Sequence, residues 1–349
     1  MMFVSKIDNT EVNALPYISF TGEIISISTK EQATEVAKAL FHERVLGFDT
    51  ETKPRFSSGR MFKPALLQLA TNERAYLFHL RKTGLPQALV ELLSNARIVK
   101  VGAAVRDDIA GLQRYVSFTP GSFVDLQDMV GEYGIVDKSI KKLTAIVLGK
   151  KVSKSQQITN WEAYPLSEAQ TLYAATDAYV CLKMYNTLKK HQEEKMSPKQ
   201  RMYEEVLERA NTLLQDEEDL IANMANVSAL LKETFGFWWV GFYLVQDNPK
   251  QLVLGPFQGP PACTRIPYGK GVCGSSWKKQ KTLVVPDVNA FPGHIACSPH
   301  SRSEIVVPVF DDKKKIRAVL DVDSDKLNAF DGMDKQYLEN IVGLFKNLH

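Results

Sequence analysis

The 349-residue chain has no apolar run near the roughly 20 residues that a bilayer-crossing helix needs. Residues 1–13 show no basic cap followed by a long apolar core, so no secretory leader is expected there and a cytoplasmic location is the reading. Internal repeats and low-complexity tracts are missing as well. Cysteine is scarce, with four residues, and no two of them form a C-x-x-C pair. In an intracellular chain so few thiols are not expected to serve as a structural disulfide framework.

What is present is ordinary globular material. Hydrophobic residues make up 44% of the chain, enough for two sizeable cores, and the length suits about two domains. Charge is uneven. Residues 1–190 hold 24 Lys/Arg against 19 Asp/Glu, whereas the remainder holds 19 against 21. A mildly basic first part suits an anionic partner, although most surface lysines are simply solvated.

The pattern along the chain predicts a buried strand over 45–50, which is apolar and ends in polar residues. Strands over 64–70 and 74–80 flank the polar turn Thr71-Asn72-Glu73. Helical spacing over 85–94 precedes a strand over 97–101, and further helices are expected over 106–115, 139–148 and 167–190. This order predicts a mixed α/β sheet flanked by helices. The charged stretch 189–199 contains a Ser-Pro breaker and sets the expected boundary: a first domain over 1–192, a linker over 193–199 and a second domain over 200–349. There, one long helix over 200–235 is expected. Strands over 240–245, 251–254, 282–285, 304–310 and 316–322 and a closing helix over 333–348 follow.

Three sets of residues stand out in the first domain. Asp49 and Glu51 lie two apart at the end of a strand and so point to one side. Tyr173 and Asp177 are four apart on a helix and share a face. Asp107 and Asp108 open the helix that follows Val101-Gly102. A strand-end aspartate is by itself more often a cap or a solvated group. Oxygen donors from separate elements, without histidine or cysteine, favour Mg²⁺ or Mn²⁺ over Zn²⁺.

Gly47-Phe48-Asp49-Thr50-Glu51, Lys100-Val101-Gly102 with Asp108, Asn160-Trp161, Pro165-Leu166, Gln170 and the run Tyr173 to Tyr179 resemble the DEDDy 3′–5′ exonuclease superfamily. The likeness spans about residues 20–190 and is strongest to the Werner-syndrome-type and ribonuclease D exonucleases. It implies a ribonuclease H-like fold. It also implies that Asp49, Glu51, Asp108 and Asp177 hold two divalent cations about 3.5–4 Å apart. Tyr173 would orient or help deprotonate the attacking water, and Glu51 would also touch the terminal 3′-hydroxyl. Counting from Val101-Gly102 puts Asp108 on the family position and leaves Asp107 as a helix-start carboxylate. DNA and RNA 3′ ends are both open as substrates.

In the second domain Cys263, Cys273 and Cys297 fall within 35 residues, apart from Cys181. Buried core thiols are the ordinary reading. Zinc would need His294 as a partner, and His294-Ile295-Ala296-Cys297 offers one local pair only. Redox catalysis, with one thiolate attacking and another resolving, is the third reading. The segments Cys263 to Pro267, Gly269 to Gly274, Pro292 to Cys297, Ser303 to Val306 and Leu320 to Ser324 resemble free methionine-(R)-sulfoxide reductase, a catalytic α+β GAF domain, from about Tyr203 onward. The resemblance implies that Cys297 attacks the sulfoxide sulfur, that Cys263 resolves the sulfenic acid and that thioredoxin restores both. Cys273 stays open as the attacking thiol or a second resolving thiol. Glu304, Asp321 and Asp323 would take the substrate ammonium, and Trp239 would pack on the methyl group. The fold expected overall is α/β: a ribonuclease H-like exonuclease domain followed by an α+β GAF domain. A non-catalytic GAF domain sensing a small ligand is the alternative for the second domain.

Overall fold

The computed structural model describes residues 3–54, 62–215, 217–295 and 298–347. The chain divides into two compact units, Met1–Glu194 and Lys195–His349.

In the first unit six strands form one mixed sheet. They are β1 (Glu23–Ile27), β2 (Val45–Glu51), β3 (Leu66–Ala70), β4 (Arg74–His79), β5 (Val99–Gly102) and β6 (Phe123–Asp125), in the order β1-β4-β3-β2-β5-β6. β3 runs antiparallel to both β2 and β4, while β1–β4, β2–β5 and β5–β6 are parallel. The helices are α1 (Asn9–Ala14), α2 (Lys30–Ala39), α3 (Leu80–Thr83), α4 (Gln87–Ser94), α5 (Val105–Leu112), α6 (Leu126–Met129), α7 (Ile140–Leu148) and α8 (Glu168–Lys195). Leu46, Phe48, Leu67, Leu69 and Phe78 point to one face and pack with Ala33, Ala37, Leu89 and Leu92 of α2 and α4. Each such large side chain stabilises the unit by roughly 1.5–3 kcal/mol when fully buried.

The alternate residues look at α8. Leu66 and Leu77 pack with Ala174, and Ala70 and Ala75 with Ala175 and Ala178. Alanines on this side of α8 let the helix lie close to the sheet. Gly47 is needed for the same reason, because a Cβ there would stand 2.0 Å from the Ala178 carbonyl oxygen. The helix expected over 167–190 thus forms and runs on to Lys195 through Gln192, Glu193 and Glu194, all good helix formers.

The second unit is built on an antiparallel sheet of β7 (Trp239–Gln246), β8 (Gln251–Gln258), β9 (Arg265–Pro267), β10 (Leu283–Val285), β11 (Ser303–Phe310) and β12 (Ile316–Ser324), ordered β10-β11-β12-β7-β8-β9. Its helices are α9 (Pro198–Leu214), α10 (Leu220–Phe235), α11 (Gly271–Lys279) and α12 (Gly332–Gly343). Residues of α9, α10 and α12 share one core with Val240, Phe242, Ile305, Leu320 and Val322. Val272, Cys273 and Trp277 of α11 pack on the other face with Tyr243, Val306 and Val319.

The single helix expected over 200–235 is in fact two. Residues 216–219 are all acidic, and Asp219 caps α10 by accepting the Ala222 N–H at 2.7 Å. An aspartate side chain that bonds backbone in this way competes with helix continuation. The closing helix is also shorter than expected: it ends at Gly343 and passes into a 3₁₀ turn, Leu344–Asn347.

Two candidate active sites

β2 ends in Asp49 and Glu51, both facing α8, which brings Asp177 and, one turn earlier, Tyr173. Ligating oxygens of Asp49, Glu51 and Asp177 all lie within 4.8 Å of one another. Asp108 comes from the first turn of α5, and its Oδ1 accepts a hydrogen bond from Thr50 Oγ1 at 2.5 Å. Its neighbour Asp107 is exposed. Two features hold α5 in place. The N–H groups of Ala104 and Val105 each donate to the Asp125 carboxylate at 3.1 Å, with Ala104 in the left-handed region at φ 57. Gly102 allows the close approach to β2, since a Cβ there would stand 2.7 Å from the Phe48 carbonyl oxygen. The segment before α8 is tied down by Gln170, whose Nε2 donates to Thr159 Oγ1 at 3.0 Å and to the Asn160 carbonyl at 3.2 Å. This sets the Trp161 ring 5.8 Å from that of Tyr173.

Crowded acids out of water resist ionisation. Burial, then the charges of Asp108, Asp177 and Glu51, push the Asp49 carboxyl well above its ordinary range. Burial and the charges of Asp177 and Asp108 push Glu51 up to about 9. Asp108 and Asp177 rise to about 7, mainly through burial, even though hydroxyls of Thr50 and Tyr173 favour their charged forms. The Tyr173 phenol is pushed up by burial and by Asp177, to which it hydrogen-bonds.

Without divalent cations these carboxyls bind protons more tightly in the folded unit than in the unfolded chain. Stability therefore falls as pH rises from the ordinary carboxylate range, about 4, through the folded values. In a chelator the first unit should melt at a lower temperature at about pH 8 than at about pH 5.5, and Mn²⁺ should raise the midpoint most at the higher pH. Thermal scans at both pH values check this. A midpoint indifferent to both pH and Mn²⁺ would contradict it.

The second site lies between α11 and the sheet. Register pairs Glu304 of β11 with Asp323 of β12, and Asp321 two residues away shares their face. Cys273, in the first turn of α11, has its Sγ 3.8 Å from Glu304 Oε1. Ligating atoms of Cys273, Glu304 and Asp321 lie within 4.8 Å of one another. These residues line a cavity together with Asp323, His294 and Ser301. Burial pushes Asp321 up to about 6. Burial and then Asp321 hold Glu304 and Asp323 well above their usual range, and burial, Asp321 and Glu304 do the same to the Cys273 thiol. Asp321 Oδ1 and His294 Nδ1 are buried without a hydrogen-bond partner among the described residues.

Cys263 is disulfide-bonded, its carbonyl accepting from Tyr243 OH at 3.0 Å, whereas Cys181 and Cys273 are free thiols. Cys297 lies outside the described residues. Trp239 stands across from Asp323 in register, but its indole stacks on Phe257 at 5.4 Å and donates to the Pro260 carbonyl. It is not among the described residues that line the cavity. Its neighbour Trp238 donates to the Oγ of Ser298, a lining residue. Asp125, Thr50 and the Trp238–Ser298 contact escaped sequence reasoning, because each depends on residues brought together by tertiary structure.

The first unit is thus a mixed sheet with an acidic cluster at the end of a central strand, and the second an antiparallel sheet with a thiol–carboxylate cavity. Residues 24–193 match the family described as 3′–5′ exonuclease, and residues 216–347 match the GAF domain family. The GAF domain-containing protein A of Dictyostelium discoideum is 58% identical over 149 residues, covering 43% of this chain and 93% of that protein. The free methionine-R-sulfoxide reductase of Escherichia coli is 46% identical, covering 38% of this chain and 79% of that protein. The mouse bifunctional 3′–5′ exonuclease/ATP-dependent helicase WRN is 35% identical over 184 residues, covering 50% of this chain and 13% of that protein. The chain belongs to the free methionine-R-sulfoxide reductase family of GAF-domain proteins and carries ahead of it a domain of the 3′–5′ exonuclease family. Among the described residues no helix is long and apolar enough to cross a membrane.

Proposed function

We propose that the chain is a bifunctional enzyme, a metal-dependent 3′–5′ exonuclease fused to a thiol-dependent reductase of free methionine-(R)-sulfoxide. The observation that carries the nuclease reading is the meeting of Asp49, Glu51 and Asp177, with Asp108 held beside them by Thr50. Among the described residues the converging ligands are half-buried carboxylate oxygens, which fits Mg²⁺ or Mn²⁺. When bound there, two such ions would supply Lewis acidity to the scissile phosphate and its attacking water. Tyr173 keeps its proton, donates to Asp177 and is the hydroxyl available to orient the water. Glu51 is the carboxylate offered to the terminal 3′-hydroxyl of DNA or RNA.

Replacing Tyr173 with Phe should slow hydrolysis about 10²-fold or more, the range for a positioned proton-transfer group, and leave Mn²⁺ affinity nearly unchanged. Single-turnover digestion alongside a Mn²⁺ titration tests the role. Lost affinity in a folded variant would make Tyr173 part of the metal site instead.

In the second unit the Cys297 thiolate attacks the sulfoxide sulfur, the oxygen passes to cysteine as a sulfenic acid and methionine leaves. The Cys263 thiol then condenses with the sulfenic acid, forming a disulfide and releasing water, and a dithiol reductant such as thioredoxin regenerates both thiols. The disulfide-bonded state of Cys263 supports a redox role for it. Asp321 Oδ1, buried and without a partner among the described residues, suits a substrate ammonium, and the acids around it hold protons that the sulfoxide oxygen can take. Cys273 is less suited to attack, because burial and then the same acids keep its thiol protonated. The deciding experiment is digestion of 3′- and 5′-labelled DNA and RNA with Mg²⁺ or Mn²⁺, next to a free-methionine-sulfoxide assay on the same preparation.

A further inference from the structure

Gln68, in the middle of β3, is 0% exposed, and neither Oε1 nor Nε2 of its amide has a hydrogen-bond partner among the described residues. Burying an amide unpaired is destabilising, and a leucine or methionine would pack there without that cost. The position explains why an amide stands there. Gln68 is the register partner of Asp49 across the β2–β3 pair. Directly opposed residues of an antiparallel pair point to one face with Cβ atoms about 4.5–5.5 Å apart. That face is the one covered by α8. Leu66 and Ala70, the neighbours of Gln68 on it, and Leu77, its partner on β4, pack on Trp161, Ala174, Ala175 and Ala178. The amide is thus enclosed between β3 and the turn of α8 that carries Tyr173 and Asp177.

We propose that Gln68 is a positioning residue for the Asp49 carboxylate, its Nε2–H donating to the Asp49 oxygen that a bound divalent cation does not use. A glutamine and an aspartate facing each other across an antiparallel pair are long enough to meet by side-chain rotation alone. A donor in that place fixes the carboxylate plane and sharpens cation binding, as groups behind metal ligands generally do. The inference rests on the metal-dependent reading of the first unit.

The test uses the full chain with Gln68→Met, which keeps length and volume but removes the amide. Two quantities are read: Mn²⁺ affinity by calorimetric titration, and the melting midpoint of the first unit in a chelator. The variant should bind Mn²⁺ about tenfold or more weakly, yet melt at a higher temperature in the chelator, because the unpaired amide is gone. A purely structural role would not move these two readouts in opposite directions. Mn²⁺ affinity within about twofold of wild type overturns the proposal. So does a lowered midpoint in the chelator, which would mean that the amide is already bonded in the metal-free fold. Should Gln68→Met fail to fold, Gln68→Asn withdraws the amide by one methylene. Weakened Mn²⁺ binding then supports the proposal, and wild-type affinity overturns it. Failure of the wild-type chain to bind Mn²⁺ at all would instead sink the metal reading itself.

Discussion

Asp49→Ala or Asp177→Ala should abolish metal-dependent digestion of 3′-labelled oligonucleotides while reduction of free methionine-(R)-sulfoxide continues at the wild-type rate. Each substitution removes one of the three carboxylates whose oxygens converge within 4.8 Å. The charge stabilisation lost is several kcal/mol at the transition state, and at 1.36 kcal/mol per factor of ten the expected fall is about 10³-fold or more. Unfolding would not account for such a loss. In the metal-free protein the charges of Asp177 and Asp108 act against ionisation of Asp49 and Glu51, so deleting one acid relieves crowding, and the chelator midpoint should hold or rise. The reductase serves as an internal control because its cavity residues all belong to the other compact unit. Full nuclease activity in either variant would remove the two-metal assignment.

The features legible in the sequence are those whose geometry is local. Two carboxylates two apart on a strand must share a side, and a tyrosine and an aspartate four apart on a helix must share a face; Asp49 with Glu51, and Tyr173 with Asp177, needed nothing more. The choice of Asp108 over Asp107 came from family spacing, and the structure separates them by exposure. Strands with strong apolar runs, such as β2 and β11, were readable for the same local reason. What escaped depends on register and on distant partners. Asp125 looks like an ordinary strand-end acid until it is seen to clamp the N-terminus of α5, 20 residues earlier in sequence. Gln68 reads as a polar interruption of the run Leu66-Leu67-Gln68-Leu69, and only the β2–β3 register sets it opposite Asp49. The break between α9 and α10 was missed because helical spacing continues on both sides of the acidic stretch, and its signal was capping chemistry rather than periodicity. β6, three residues long, and β9, of equal length, are too short to show any period.

Cys297→Ser should eliminate reduction of free methionine-(R)-sulfoxide, because an alcohol cannot act as the low-pKa, oxidisable nucleophile. Cys263→Ser should release about one methionine per chain and then stall, since the sulfenic acid forms without a thiol to condense with it. Cys273→Ser should keep the burst. The Cys273 thiol is only 3% exposed, and burial beside Asp321 and Glu304 holds it in the protonated form, which is a poor nucleophile. The acids serve another end. Three carboxyls on adjacent strand positions cannot all ionise when buried, so the site enters the reaction already holding protons beside a charge suited to an ammonium group. A single-turnover assay without added reductant, with methionine release followed by chromatography, separates the three thiols. A normal burst from Cys297→Ser with none from Cys273→Ser would transfer the attacking role to Cys273 and require the binding of substrate to lower that thiol's pKa. Normal turnover in all three variants would leave the second unit as a ligand-sensing GAF domain.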